Sequence, residues 1–394
     1  MTTPVPAPSR RLLSLDVLRG LTLAFMIMVN NNGGPGSWRF MNHAAWNGLT
    51  PTDLVFPTFI FVVGASIVFA FESRLARGAT RRELARHTVQ RAVVLFLLGI
   101  VVNGFPAFHL AHLRFYGVLQ RIAVCYLVVG LFYLWDRRVW TKVAALVAAL
   151  AGYYVLLRWT PIPGAGMPGR DFPFMDQTLN LTSWLDRHVM PHHLYLDWPR
   201  PGILVPHNRH DPEGLLSDLP AIGTALLGLL AGLWMRTQRA VQAKTAGLAA
   251  GSLACLALGY LWSLWFPLNK NLWTSSFVLV AAGWSLAVLT LAWWAVEQNG
   301  WGKGQHSRLA YPWLVFGSNA ITAYMFSELL AATLSGIRFT AAGHPTNFIA
   351  WTFAHIFAHI PNPGWAAFAY SVSFTAVCFI PVWILYRKRI FLKV

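Results

Sequence analysis

The chain has 394 residues, 56% of them hydrophobic and 11% charged, with a mean hydropathy of +0.49 and a formal net charge of +17. So little polar surface excludes a soluble globule and implies a polytopic membrane protein whose outside is lipid. Its three cysteines, Cys125, Cys255 and Cys378, each sit in an apolar run without C-x-x-C spacing, which argues against a disulfide framework or a zinc site.

From the amino terminus, a charged pair, Asp16 and Arg19, enters an apolar run that ends in Asn30-Asn31-Asn32-Gly33-Gly34. Asn42-His43-Ala44-Ala45-Trp46-Asn47-Gly48-Leu49 follows, and Asp53 opens a second apolar run. Ionisable side chains at the mouths of membrane-length helices are costly to keep, so they read as a functional site. Arg10 and Arg11 imitate the basic start of a signal peptide. Asp16 and Arg19 interrupt the run behind them, however, and asparagines replace the small-residue cleavage site, so an uncleaved first span is expected.

Ten runs approach the roughly 20 residues needed to cross the hydrocarbon layer. They lie at 13–31, 54–73, 89–105, 116–135, 139–159, 219–235, 248–266, 272–296, 314–337 and 365–386. Backbone groups cannot face lipid unpaired, and no alternating barrel pattern is present. The expected fold is therefore an all-α polytopic integral membrane protein, a bundle of about ten transmembrane helices forming one domain over 1–394.

Two segments do not fit a simple connector. The loop 160–218 is too long for one. It carries Asp171, Asp176, Asp186, Asp197, Asp211 and Glu213, with Trp184, Tyr195, Trp198, His188, His192, His193, His207 and His210, and its Pro and Gly content predicts an irregular cap. Its aromatic residues suit either stacking on a sugar or anchoring at the head groups. No H-x-x-x-H on a clear helix appears there, which argues against a metal. The segment 344–363 holds His344, His355 and His359, with the last two one turn apart on one helix face. Its apolar stretch is too short to span, so it is expected to be re-entrant or interfacial.

Placing the amino terminus in the cytoplasm puts the cations near 10–11, 74–91, 137–142, 236–244, 303–308 and 387–393 inside, and leaves a sparse set outside. Both termini are then cytoplasmic, and the loop 160–218 faces the other side. The charge is mainly a topology signal, with attraction to anionic lipid second. Scattered among short loops, it does not indicate nucleic acid. Tyr386-Arg387-Lys388-Arg389 reads as a stop-transfer flank rather than a lipidation signal.

Several motifs in order carry a resemblance. They are Ser14-Leu15-Asp16-Val17-Leu18-Arg19-Gly20, Val29-Asn30, His43-Ala44-Ala45-Trp46-Asn47-Gly48-Leu49-Thr50, Asp53-Leu54-Val55-Phe56-Pro57, Gly117-Val118-Leu119-Gln120-Arg121, Asn269-Lys270-Asn271-Leu272-Trp273 and Ser318-Asn319-Ala320 near Tyr324. Together they resemble the transmembrane acyltransferase family of heparan-α-glucosaminide N-acetyltransferase, over nearly the whole chain. Asp211-Pro212-Glu213-Gly214-Leu215 looks like the bacterial version. The sequence starts at the helix of Asp16 without a large luminal amino-terminal domain, which points to a bacterial inner membrane.

The resemblance implies acetyl transfer from cytosolic acetyl-CoA, without a metal, to a glucosamine-type amine across the membrane, and suggests a homodimer. It places the catalytic histidine on His43 and the catalytic asparagine on Asn30. The chemistry is consistent with those residue types. An amine attacking a thioester must lose a proton, which imidazole accepts efficiently near neutral pH. A fixed amide N–H stabilises the developing oxyanion by about 3 kcal/mol. A covalent acetyl-histidine route is the alternative. Direct transfer is favoured at this stage because no carboxylate adjoins His43 in the sequence, although Asp53 is a candidate to approach in space.

The phosphates of CoA belong on the basic side, with the pantetheine arm threading toward His43. Arg19, Gln120, Arg121 and Asn319 are the donor-binding candidates. Arg19 is equally placed to pair with Asp16, and Arg121 to snorkel or bind backbone carbonyls. Asp53, Trp46, Asn47, Asn269, Lys270, Asn271 and the intramembrane Glu328 are candidates for the acceptor. The alternative function is an amino-sugar transporter, since buried polar residues also mark substrate paths.

Overall fold

The computed structural model describes residues 12–34, 36–195, 211–301, 307–341 and 343–392. His207, His210, Asp197 and Trp198, and the topology cations Arg10, Arg11 and Lys303, lie outside them.

The described chain is mainly helical, with a single two-stranded hairpin among the described residues. Its long helices are α1 (Leu13–Asn30), α2 (Val55–Leu75), α3 (Arg81–Gly104), α4 (Val118–Trp135), α5 (Val139–Trp159), α7 (Asp218–Met235), α8 (Val241–Trp262), α9 (Ser275–Trp293) and α13 (Pro363–Arg387). Nine helices among the described residues are long and apolar enough to cross a membrane. α10 (Ser307–Ser318) and α11 (Ala320–Gly336) are apolar together and meet at an angle of 74°, as in a broken span or a re-entrant loop. The continuous ninth span expected at 314–337 is thus broken. Asn319 leaves the helical region at φ −127° and ψ 44°, and both halves are apolar, so hydropathy cannot register the bend.

Helix starts also differ from the apolar runs. α3 begins at Arg81, eight residues before its apolar run. Thr80 and Glu83 close a capping box there, with Thr80 N donating to Glu83 Oε2 at 2.8 Å and Glu83 N donating to Thr80 Oγ1 at 3.2 Å. α9 begins at Ser275 rather than near Leu272, because 269–273 forms an irregular turn with Trp273 at φ 52°.

Exposed apolar ridges mark the lipid side: Val89, Val93, Leu97 and Val101 on α3, Leu253 and Leu261 on α8, and Val377, Ile380 and Ile384 on α13. The core is Leu23, Ile27, Ile60, Val68, Cys125, Leu229, Phe277 and their neighbours, contributed by α1, α2, α4, α7 and α9. Two crossings bring backbones into direct approach, as small residues permit in membranes. A Cβ on Gly64 of α2 would sit 1.9 Å from Ala225 O of α7, and one on Gly317 of α10 would sit 2.0 Å from Asp16 O of α1.

The described parts of the long connector, 160–195 and 211–217, fold as an irregular cap around α6 (Leu181–Val189). Segment 338–357 forms a hairpin, β1 (Arg338–Ala341) against β2 (His344–Asn347), then the short α12 (Phe348–Thr352) and a π-helical turn. The apolar helical piece Phe348–Phe357 is too short to span. At one end of the bundle Glu72 accepts from Tyr133 at 2.8 Å and from Arg137 and forms an ion pair with Arg236 at 2.9 Å, joining α2, α4 and α7.

Candidate active site

The segment between α1 and α2 is shaped by its own side chains. The Asn42 amide donates to Trp38 O at 2.9 Å and Ser37 O at 3.2 Å, while Asn42 O accepts from Thr50 Oγ1 at 2.7 Å. Thr52 Oγ1 donates to Phe40 O at 2.7 Å. These bonds fold the loop so that residue 43 meets residue 53. Asp53 Oδ1 lies 2.7 Å from His43 Nδ1, and its Oδ2 accepts from Thr50 N at 2.9 Å, Thr50 Oγ1 at 3.0 Å and Ala44 N at 3.2 Å. The Asp53 side chain is 1% exposed and that of His43 47%.

The structure thus supplies the neighbouring carboxylate that was missing next to His43 in sequence. The argument for direct transfer over an acetyl-histidine therefore loses its premise. An acceptor at Nδ1 fixes the proton there and leaves Nε2 as the reactive nitrogen. The Lys270 ammonium lies 3.3 Å from Nε2.

Lys270 is carried by the irregular turn before α9. Asn269 is fully buried. Its amide donates to Asn47 Oδ1 at 3.0 Å, and its Oδ1 accepts from Leu272 N at 2.8 Å. Gly48 N donates to Leu268 O at 2.8 Å, and Trp46 Nε1 to Met175 O at 2.8 Å, pinning the histidine loop to the cap. Asn271 is half-buried beside this turn. Burial holds the Lys270 amine below its ordinary pKa, opposed by the charges of Glu213 and Asp53.

Glu213 comes from the cap, where Arg114 binds both it and Asp211. Burial pushes the Glu213 carboxyl up, but Arg114 and Lys270 outweigh it, and the group is held below the usual range. Deeper in the cap, burial raises Asp186 to about 7. Its Oδ1 accepts from Leu215 N at 2.9 Å, and its Oδ2 has no hydrogen-bond partner among the described residues.

At the end of α1, the Asn30 amide approaches Glu328 Oε1 of α11 at 3.5 Å. Asn32 Nδ2 reaches Asn42 Oδ1 at 3.3 Å, tying this helix end to the histidine loop.

A cavity of about 870 Å³ runs between α1, α2, α3, α4, α10 and α11. One end is polar and basic, with Arg74, Arg77, His87, Gln90 and Arg91 beside Asp16, Arg19 and Ser66. Its middle is apolar, with Leu23, Phe59, Val63, Ile67 and Ile122. At the far end the last lining residues are Met26, Phe56, Leu119 and Tyr324. Met26 is one turn before Asn30, Phe56 three residues after Asp53 and Tyr324 one turn before Glu328, so the cavity stops about one helical turn from the His43 group.

The donor-binding candidates part company here. Arg19 pairs with Asp16 at 2.9 Å and donates to Ser66 Oγ at 2.7 Å while lining the cavity. Arg121 is fully buried away from the lining. It binds Asp218 at 2.9 Å, Pro212 O at 3.1 Å, Gly214 O at 3.0 Å and Ser217 Oγ, and stacks over Trp273 at 4.9 Å. It fastens the cap to α4 and α7, which is the backbone-binding alternative. Gln120 is fully buried beside Gly99, and its amide has no hydrogen-bond partner among the described residues. Asn319 donates to Ile390 O at 3.1 Å and accepts from Leu392 N at 3.0 Å, which places Phe391 and Leu392 on the cavity wall.

Arg74, Arg77, His87, Gln90 and Arg91 were not among the donor-binding candidates, because their basic residues read as topology signals. No group of His, Cys, Asp or Glu among the described residues is arranged to hold a metal.

Fold and site define a polytopic membrane protein with a His-Asp pair at one end of its bundle and a basic-mouthed cavity leading toward it. Residues 11–164, covering α1 to α5 and both His43 and Asp53, match the family model described as heparan-alpha-glucosaminide N-acetyltransferase, catalytic. The chain is 28% identical to human heparan-alpha-glucosaminide N-acetyltransferase and 26% identical to the mouse protein. Each match covers 98% of this chain but only 60% and 61%, respectively, of the relative. The resemblance drawn from the motifs therefore stands, and the chain spans about three fifths of the length of those relatives.

Proposed function

We propose that this protein is a transmembrane acetyltransferase that moves an acetyl group from acetyl-CoA to the amine of a glucosamine-type sugar. The observation that carries the reading is the cavity, with cations at one end and the His43 group one turn beyond the other. The donor's phosphates bind among Arg74, Arg77 and Arg91, and its uncharged arm lies along the apolar middle, where water is excluded and thioester hydrolysis suppressed.

In the transfer the amine nitrogen attacks the thioester carbon, its proton passes to His43 Nε2, and the C–S bond breaks. The departing thiolate recovers that proton. Asp53 holds the ring for this role, and equally for a route in which Nε2 first takes the acetyl group. Glu328 receives the incoming ammonium and takes its first proton, which it later gives up to water, so that the attacking nitrogen is a neutral amine; Asn30 supplies an amide N–H to the carbonyl oxygen. Lys270, Asn271, Asn47 and Trp46 border the sugar.

By the positive-inside bias the basic end faces the cytoplasm and His43 the opposite compartment, in a bacterial inner membrane. The His43-Asp53 pair supports transfer over carriage, since a carrier needs no oriented base there.

The test is purified protein given labelled acetyl-CoA and glucosamine. Label should move to the amine and be lost in His43→Ala. Uptake of N-acetylglucosamine into proteoliposomes without acetyl-CoA, unaffected by His43→Ala, would establish the carrier instead.

A further inference from the structure

The cavity and the His43 group are separated by a thin layer to which α11 contributes Tyr324. This ring is 8% exposed and is packed in the main hydrophobic core while also lining the far end of the cavity. Its hydroxyl nevertheless lies within the electrostatic reach of Glu328, Glu213 and Arg114, which belong to the other side of the layer. No hydrogen bond engages that hydroxyl among the described residues. The hydroxyl is not fully enclosed, so it is open to a group that arrives at that end of the cavity.

We propose that Tyr324 is the threshold between the donor cavity and the His43 pocket: its ring bars the passage until the acyl arm arrives, and its hydroxyl then donates to the thioester carbonyl oxygen. This rests on the acyl-transfer reading and adds a residue to it. As the amine attacks, the carbonyl oxygen gains negative charge and the phenol O–H stabilises it by hydrogen bonding while keeping its proton. The proton balance through His43 and the thiolate is unchanged. With the ring in place, water on the His43 side cannot reach a bound thioester.

Three measurements test it. Tyr324→Phe should bind CoA by calorimetry as the wild type does, with donor KM unchanged and kcat lower on the order of 100-fold. Tyr324→Ala, or Tyr324→Leu should the first fold poorly, should release CoA from acetyl-CoA without an amine faster than the wild type. The third needs no turnover. In sealed vesicles of a cysteine-free background, an impermeant thiol reagent on the His43 side should label Leu23→Cys only when Tyr324→Ala is also present. Full turnover in Tyr324→Phe overturns the hydroxyl's role. Labelling of Leu23→Cys with Tyr324 intact, or none with Tyr324→Ala, overturns the barrier. A wild type that acetylates no amine sinks the acyl-transfer reading and with it the carbonyl contact, while the labelling result still decides the barrier.

Discussion

Asp53 and His43 are ten residues apart and joined by a 2.7 Å contact, made by a loop whose threonines and asparagines bind its own backbone. A carboxylate in that position sets the tautomer of the imidazole and its direction. Asp53→Asn keeps the shape and loses the charge. It should lower kcat by roughly 1,000-fold, with donor KM little changed, measured with labelled acetyl-CoA. Thr50→Val, which removes one donor to Asp53 Oδ2 at 3.0 Å, should give a smaller loss of about 10-fold.

The basic end makes a second prediction. Arg74→Gln and Arg77→Gln should each raise the KM for acetyl-CoA by about 10-fold and leave kcat alone, because a charge-assisted contact to phosphate contributes roughly 1.5–3 kcal/mol. Raising the ionic strength should shrink the difference from wild type, since these side chains sit at an open mouth.

Arg121 should behave differently from those cations. Removing a guanidinium that binds Asp218, two carbonyls and a serine leaves a buried carboxylate without its partner, a change costing about 3–5 kcal/mol. Arg121→Met should therefore reduce the yield of monodisperse protein and its melting temperature. The fraction that folds should bind CoA with normal affinity, measured by calorimetry. A selective loss of CoA binding in well-folded protein would contradict this assignment.

The cap carries a pH dependence. Asp186 has its carboxyl raised to about 7, mainly by burial, against about 3.9 in an unfolded chain. Between those values the folded state holds a proton that the unfolded state has released, so stability falls as pH rises from 4 to 7 and levels off above. The steepest slope this group contributes is about 1.4 kcal/mol per pH unit. Melting temperatures at a fixed scan rate should decline across that window in the wild type, and decline less in Asp186→Asn, whose Oδ1 still accepts from Leu215 N.

The spans were legible because hydrophobic length is a local property, and nine of them appear as helices near their expected places. The break at Asn319 was not, because Leu314 to Gly317 and Ala320 to Met325 are apolar on both sides of it. His43 stood out as a polar residue between two membrane-length runs. That Asp53 would reach it depends on loop bonds such as Asn42 O to Thr50 Oγ1, which hydropathy does not encode. Sequence alone leaves Arg121 between the donor path and backbone carbonyls, and it could not name the partners, which lie 91 to 97 positions away, a separation at which no spacing rule operates. The donor end was the reverse case: Arg74, Arg77 and Arg91 were visible, but counting them for orientation hid that helix packing gathers them around one cavity.

Glu328 yields the last prediction. It lies in α11 beyond the bend at Asn319, half-buried, facing the Asn30 amide at 3.5 Å, with no ion pair among the described residues. A carboxylate kept at membrane depth without a cation is costly unless a cation visits it. An acceptor amine, largely protonated at neutral pH, is such a visitor, and the carboxylate concentrates it beside the reacting centre before its proton is removed. Glu328→Gln keeps the volume and the contact with Asn30 while deleting the charge. It should raise acceptor KM by about 10-fold or more, the scale of one charge-assisted hydrogen bond, and leave donor KM unchanged. Because the deleted interaction is with the ammonium, a wild-type preference for amines over neutral hydroxyl acceptors should narrow in the variant. Equal acceptor KM in the two proteins would remove Glu328 from the acceptor site and leave its burial as a structural matter between α11 and α1.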